Sequence, residues 1–194
     1  MESSALREGP SLLVIGLGNE LLADDSIGLR VVRELKKRVS RNEIAFEELS
    51  VGGLQLLDYL VGYRRCILID AIVSGTHPAG TIHHFVQVPG GESIRLSSSH
   101  HVSLSEVLAL GKILGASLPE SISVYGIEPG DTTTFIEQCT GEVSQAIPQL
   151  VGLICRDLLN NESGCGNQTV LPTGSIPRLR MGNGEIINQP QKQI

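Results

Sequence analysis

Short runs of apolar residues alternate along this chain with segments in which apolar residues recur every three or four positions. The runs are typical of buried β-strands, and the recurring positions are typical of amphipathic helices. The runs predict strands at Ser11–Leu17, Ile44–Leu49, Arg65–Ile69 and Ser121–Ile127. Thr81–Val88 alternates loosely and predicts an edge strand or one arm of a hairpin. The helical spacing predicts helices at Ile27–Val39, Gly53–Leu60, Ser103–Gly115 and Thr140–Leu159.

Local signals support two of these helices. The first is predicted to be acidic at its start and basic at its end, which the helix dipole favours. Ser103 and Glu106 form the sequence signature of a capping box at the start of the third helix.

Strands that alternate with helices predict an α/β fold. We expect a single domain over residues 11–159, with a twisted, mostly parallel sheet of about five strands flanked by helices on both faces. The length of 194 residues suits one core. Residues 160–194 have no periodicity and are rich in Asn, Gly and Gln, so we predict a disordered C-terminal tail.

Composition narrows the classes of function. The formal net charge is −6 and the 15 Lys and Arg residues form no block, which argues against nucleic-acid binding because phosphates need a basic face. The sequence contains neither a signal peptide nor an apolar run of membrane-spanning length. The four cysteines form no CxxC pair, and Cys66 lies in an apolar run, as expected of a buried core thiol. We therefore expect a cytoplasmic monomer that binds neither nucleic acid nor membrane.

Three polar segments occupy positions at which open α/β sheets bind their ligands. They are the loop Gly16–Asp25 after the first strand, Asp70 after the third strand, and Ser97–His101 before the capped helix. Each has an ordinary structural explanation: helix capping for Asp24–Asp25, a turn for Asp70, and solvent exposure for the histidines. Together, two carboxylates and an imidazole would suit nickel or zinc and leave coordination positions open. A metal held in this way polarises a carbonyl or activates water, as amide hydrolysis requires.

Gly16 and Gly18 also allow a dinucleotide-binding interpretation. The full fingerprint fails, because Leu21 stands where a third small residue is required. Glu48, near the end of the second strand, is the candidate ribose-binding acid of this interpretation. The sequence contains no Walker loop, no GxSxG elbow and no spacing typical of a catalytic Cys–His pair.

Four blocks of the sequence resemble the hydrogenase maturation endopeptidase family, in the order in which that family carries them. They are Val14–Gly28 (VIGLGNELLADDSIG), Ile67–Ala71 (ILIDA), His100–Leu104 (HHVSL) and Ser123–Pro129 (SVYGIEP). The first block is the most specific, because it combines a glycine turn, an asparagine and an acidic pair. The resemblance extends over roughly residues 12–159.

The resemblance implies a twisted sheet flanked by helices, in agreement with the pattern. It implies an endopeptidase that removes a short C-terminal peptide from the large-subunit precursor of a nickel–iron hydrogenase after nickel insertion. It also implies that Asp25, Asp70 and His100 are the metal-binding and catalytic residues, with His101 as the neighbouring alternative to His100. The precursor is the expected partner and supplies the nickel, so that the protease cleaves only a metal-loaded substrate.

Other functions remain open for the same residues. A nickel-binding hydrogenase assembly factor would use the three ligands without cleaving anything, and a zinc peptidase would use them on another protein substrate. The chain departs from the family at Glu20, where the family more often carries an apolar or small residue. We expect this extra acid to face solvent.

Overall fold

The computed structural model describes residues 10–50, 53–87 and 103–160. Its strands are β1 (Leu12–Leu17), β2 (Ile44–Leu49), β3 (Arg65–Ala71), β4 (Ile82–Gln87) and β5 (Ser121–Ile127). Its α-helices are α1 (Ile27–Arg38), α2 (Leu56–Leu60), α3 (Leu104–Ile113) and α4 (Gly141–Asn160). Short 3-10 turns precede α1 and α2, at Ala23–Ser26 and Gly53–Gln55. The predicted tail lies, from residue 161 onward, outside this part of the chain.

The strands form one five-stranded sheet in the order β2-β1-β3-β5-β4. β1 pairs in parallel with β2 and β3, and β3 pairs in parallel with β5. β4 pairs antiparallel with β5 at the edge of the sheet. The predicted α/β fold and the predicted edge strand are therefore confirmed. The four parallel strands all end on the same side of the sheet. Folds of this kind bind ligands beyond these C-terminal strand ends.

The sheet separates two hydrophobic cores. One face packs against α1 and α4 and includes Val14, Ile69 and Tyr125. The other face packs against α2 and α3 and includes Ile15 and Leu68. Because both faces are covered, the parallel strands are apolar at nearly every position, which explains why continuous apolar runs predicted them.

The structure can be compared with the sequence signals predicted for the starts of α1 and α3. In α3 the capping box is confirmed: the Glu106 backbone N–H donates to the Ser103 hydroxyl at 3.3 Å, and the Ser103 N–H donates to the Glu106 carboxylate at 2.6 Å. The expected acidic start of α1 is wrong, because α1 begins at Ile27 and its first turn holds no acidic residue. Asp24 and Asp25 precede it in the 3-10 turn, where their carboxylates bond to loops. The basic end of α1 is present, at Lys36, Lys37 and Arg38.

The start of α1 approaches the sheet more closely than a side chain would allow. A Cβ atom on Gly28 would lie 2.2 Å from the carbonyl oxygen of Leu17 and 2.3 Å from that of Ile69. A Cβ atom on Gly16 would lie 2.2 Å from the carbonyl oxygen of Gly28. The two glycines let α1 begin directly on the carboxyl ends of β1 and β3. This packing fixes the position of the 3-10 turn that precedes the helix.

We expect Gly28→Ala to lower the free energy of unfolding by about 2 kcal/mol, although alanine is the better helix former. The added methyl group would force α1 away from the sheet, and urea unfolding measures the cost. Gly152→Ala is the matched control, because Gly152 lies inside α4 with nothing within 4 Å of its Cβ position. There we expect unchanged or slightly higher stability, by up to about 1 kcal/mol. Equal effects of the two substitutions would contradict the close packing of Gly28.

Candidate active site

Asp25 lies in the 3-10 turn Ala23–Ser26, between the loop after β1 and the start of α1. Gly18 shapes that loop: its φ is +145°, and a Cβ atom there would lie 1.9 Å from the Asp25 carbonyl oxygen. The Asn19 backbone N–H donates to the Asp25 carbonyl oxygen at 3.2 Å and to its carboxylate at 3.0 Å. The Asn19 side chain in turn accepts a hydrogen bond from the Leu21 N–H at 3.0 Å. The glycine and the asparagine of this loop therefore hold Asp25 in place, with 8% of the residue exposed.

Asp70 is the last residue but one of β3 and is fully buried. Its carboxylate accepts a hydrogen bond from the Ala71 backbone N–H at 2.8 Å. β3 lies next to β1 in the sheet, and the 3-10 turn that carries Asp25 contacts β3. The structure thus brings two of the predicted site residues to the same edge of the sheet. Two largely buried carboxyl groups at this end of the sheet supply oxygen atoms of the kind that bind a cation.

His100 and His101 lie outside the described residues, so the predicted histidine ligand stays a prediction. The helix that follows them, α3, begins after its N-cap Ser103. α3 packs on the face of the sheet that carries Leu68. Asp70 belongs to the same face, because strand residues two positions apart share a face.

Asp24 has a structural role, although not the helix capping that the sequence allows. Neither the 3-10 turn nor α1 has a side-chain cap, and Asp24 is fully buried. Its carboxylate accepts hydrogen bonds from the backbone N–H groups of Gly130 at 2.8 Å and Asp131 at 2.9 Å. It also accepts from the backbone N–H of Thr140 at 2.7 Å and from its hydroxyl at 2.9 Å. The Asp24 carboxylate therefore connects the β5–α4 loop to the turn that carries Asp25 through hydrogen bonds.

The same two loops carry exposed apolar side chains. Leu22 forms isolated β-bridges with Phe135 and Ile136, which join the two loops. Leu21 is 57% exposed, Phe135 79% and Ile136 51%. Large exposed apolar side chains brought together in this way are typical of protein-binding surfaces.

Cys66 and Cys139 lack the character of a catalytic nucleophile. Cys139 lies beside the acid-bearing turn, with its sulfur 3.6 Å from the Ala23 carbonyl oxygen and from the Ser26 hydroxyl. Burial raises the pKa of the Cys139 thiol and that of Cys66, so both are protonated at neutral pH. Cys66 is the buried core thiol that the sequence predicts. Both are free thiols, as is Cys155.

The residues that suggested a dinucleotide site contact other parts of the protein. The space beside Gly16 and Gly18 is filled by α1 and by the 3-10 turn. The Glu48 carboxylate accepts a hydrogen bond from Arg33 at 2.7 Å, and Arg33 also pairs with Glu20 at 2.5 Å. The hydrogen bond from Arg33 lowers the pKa of Glu20. The Glu20 side chain is 55% exposed, so this extra acid faces solvent, as expected.

A second group of potential metal ligands, which the sequence analysis missed, lies at the end of β5 and the start of β4. Glu128 directly follows β5, His83 lies on β4, and His77 lies in the loop between β3 and β4. One side-chain ligand atom of each lies within 4.8 Å of the other two. Among residues 10–50, 53–87 and 103–160, no other set of three such side chains meets this criterion. No regular spacing marks these positions, because the pairing of β4 with β5 brings them together.

Comparison with known proteins decides the family. Residues 29–157 match the family described as hydrogenase maturation protease. The chain belongs to this family of proteases. The match contains Asp70 and His100 and begins four residues after Asp25.

The relatives of the protease have names that refer to the maturation, expression or formation of hydrogenases. It is 31% identical to the hydrogenase 2 maturation protease of Escherichia coli over 121 residues, which are 61% of this chain and 73% of that one. It is 29% identical to the hydrogenase expression/formation protein HupD of Bradyrhizobium diazoefficiens over 149 residues, 76% of this chain and 77% of that one. The structure of the hydrogenase maturating endopeptidase HybD from E. coli superposes with a TM-score of 0.66 at 27% identity, covering 79% of this chain and 93% of that one. These comparisons confirm both the resemblance and the fold.

Family membership makes this chain a hydrolase of the endopeptidase class. The protease thus carries two acids, Asp25 and Asp70, at the edge of the sheet where its fold binds ligands. None of the helices in the described part of the protease is long and apolar enough to cross a membrane.

Proposed function

We propose that this protease removes the C-terminal extension of the large-subunit precursor of a nickel–iron hydrogenase once nickel has been inserted. Asp25, Asp70 and His100 engage the nickel that the precursor presents. The observation that carries the proposal is the pair of largely buried carboxylates at the carboxyl edge of the sheet, in a member of this protease family. Carboxylate oxygen and imidazole nitrogen are ligands that nickel accepts.

The nickel belongs to the substrate, and this makes the site selective. Without a cation, two neighbouring carboxylates repel each other, and a bound cation relieves that repulsion. A precursor that carries nickel completes the site, whereas a precursor without nickel leaves the two acids uncompensated. Nickel held by these side chains supplies Lewis-acid activation of the scissile amide. Cleavage then depends on completed metal insertion.

A protein substrate also needs a surface on which to bind. The exposed side chains of Leu21, Phe135 and Ile136 lie on the two loops that Asp24 fastens together. We place the precursor on this surface, because it adjoins the turn that carries Asp25. The cytoplasm is the proposed location, and the three cysteines within the described residues are free thiols, which is consistent with a reducing compartment.

The test uses the large-subunit precursor in a nickel-loaded and a nickel-free form. Each is mixed with the purified protease, and intact-mass spectrometry follows the precursor's C-terminus. We expect loss of a C-terminal peptide from the nickel-loaded form only, because only that form completes the site.

The other outcomes separate the competing functions. Cleavage of both forms would contradict the dependence on nickel while keeping the peptidase. Binding without cleavage of either form would favour a non-enzymatic nickel-binding assembly factor. Stoichiometric zinc in the purified protein, with cleavage of an unrelated protein, would favour a zinc peptidase.

A further inference from the structure

We propose that His77, His83 and Glu128 form a second metal site, separate from Asp25 and Asp70, which binds a borderline divalent cation such as zinc. Two imidazoles and one carboxylate are a ligand set of zinc sites that keep one coordination position open. The ion connects the β3–β4 loop to the end of β5.

Two of the three ligands already stand at the separation that a shared ion imposes. His83 and Glu128 are almost completely buried, at 2% and 4% exposure. The His83 Nε2 and the Glu128 carboxylate oxygen lie 2.9 Å apart. Ligand atoms at about 2.0–2.1 Å from one zinc ion lie roughly 2.9–3.4 Å apart at angles between 90° and the tetrahedral value. The ion therefore replaces the hydrogen bond of this pair with little movement of either side chain.

His77 supplies the third ligand from the β3–β4 loop. Its ring lies at 85° to that of His83, with the centroids 5.2 Å apart. The three ligand atoms span up to 4.8 Å, whereas two ligands of one zinc ion lie at most about 4.2 Å apart. The His77 side chain has room to move closer to the other two ligands, because it is only half-buried. Its Nδ1 is hydrogen-bonded to the exposed hydroxyls of Ser74 and Thr76, at 3.0 Å each.

The loop that carries His77 is organised around Glu128 before any ion binds. The Glu128 carboxylate accepts hydrogen bonds from the backbone N–H groups of Ser74 at 2.9 Å and Gly75 at 3.2 Å. The Glu128 backbone forms two further hydrogen bonds with residues just before β4. A site built on fixed backbone loses little freedom on binding, which favours metal affinity.

The strand register separates this cluster from the two acids of the processing site. Asp70 lies opposite Gly126 on β5, and Gly126 lies opposite His83 on β4. Asp70 and His83 are therefore two strand spacings apart, roughly 10 Å. Ile72 fills the space between them, because a Cβ atom on Gly126 would lie 2.4 Å from its side chain. An ion held by the cluster is not shared with Asp70.

The experiment titrates zinc into the full-length protein that carries Asp25→Asn and Asp70→Asn, which removes both carboxylates of the processing site. Calorimetry is expected to show one equivalent of zinc bound, and His77→Ala or Glu128→Gln in this background is expected to weaken the affinity at least tenfold. His84→Ala is the matched control: His84 also lies on β4, but its ring stacks on Tyr125 on the opposite face, with centroids 4.1 Å apart. There we expect unchanged zinc affinity.

Imidazole nitrogen NMR of the same samples identifies the ligands. Zinc is expected to shift the His77 and His83 signals and to leave that of His84 in place. Circular dichroism checks that each variant is folded, and the half-buried His77 makes His77→Ala the safest of them. The proposal would be overturned if the background protein bound no zinc, or if the His77→Ala and Glu128→Gln variants bound zinc as tightly as the background protein does. These measurements detect zinc binding and not precursor cleavage, so their result is independent of the proposed function.

Discussion

Asp70→Asn is expected to reduce precursor cleavage at least about 100-fold while the protein keeps its fold. Asparagine has the shape of aspartate and retains an oxygen for the 2.8 Å hydrogen bond from the Ala71 N–H. It lacks the negative charge that the proposed nickel site requires. Single-turnover cleavage of the nickel-loaded precursor, followed by mass spectrometry, measures the loss.

The matched control for this substitution is Asp58→Asn. Asp58 lies exposed in α2, so its replacement removes one charge without touching the site. We expect wild-type cleavage from this variant and unchanged unfolding temperatures from both. If the Asp70→Asn variant cleaved the precursor as fast as the wild type, Asp70 would not be a catalytic residue.

Asp24→Asn is expected to act on stability, lowering the free energy of unfolding by about 3 kcal/mol and the unfolding temperature by about 10 °C. The Asp24 carboxylate accepts from three backbone N–H groups and one hydroxyl, of Gly130, Asp131 and Thr140. An asparagine amide would turn its own N–H groups toward some of these donors, and the buried donors would lose their acceptors. Urea and thermal unfolding measure the effect.

The neighbouring Asp25→Asn provides the comparison, because it is the same chemical change one residue away. The Asp25 carboxylate accepts a hydrogen bond from the Asn19 backbone N–H at 3.0 Å. We expect the free energy of unfolding of the Asp25→Asn variant to stay within about 1 kcal/mol of the wild-type value. We expect the same variant to lose cleavage activity. A stable Asp24→Asn variant beside an unfolded Asp25→Asn variant would reverse the assigned roles.

Most of the fold could be predicted from the sequence, because each buried strand is a short apolar run. The observed bounds of Ile44–Leu49 and Ser121–Ile127 are those that the pattern predicts. The capping box at Ser103 was equally visible, since its two partners are three residues apart. Local chemistry decides these features, so local sequence reveals them.

The site was predictable only in part. Asp25 and Asp70 follow from strand ends and from the family resemblance, and the sheet places them at one edge. The role of Asp24 was not predictable, because its carboxylate bonds to residues 106 to 116 positions later in the chain. The meeting of His83 with Glu128 likewise depends on the antiparallel pairing of β4 with β5. Contacts of this kind have no periodicity that a single sequence could display.

The hydrogen bonds of Asp24 also set the order in which parts of the domain can form during its synthesis. A nascent chain that has emerged from the ribosome only as far as Glu128 already contains β1, α1 and β3. It lacks Gly130, Asp131 and Thr140, whose backbone N–H groups and hydroxyl donate to the Asp24 carboxylate. Since domains are synthesised from the N-terminus, the turn that carries Asp25 is locked only after the β5–α4 loop has been translated. The growing chain therefore cannot hold Asp25 in its final position until most of the domain has been made.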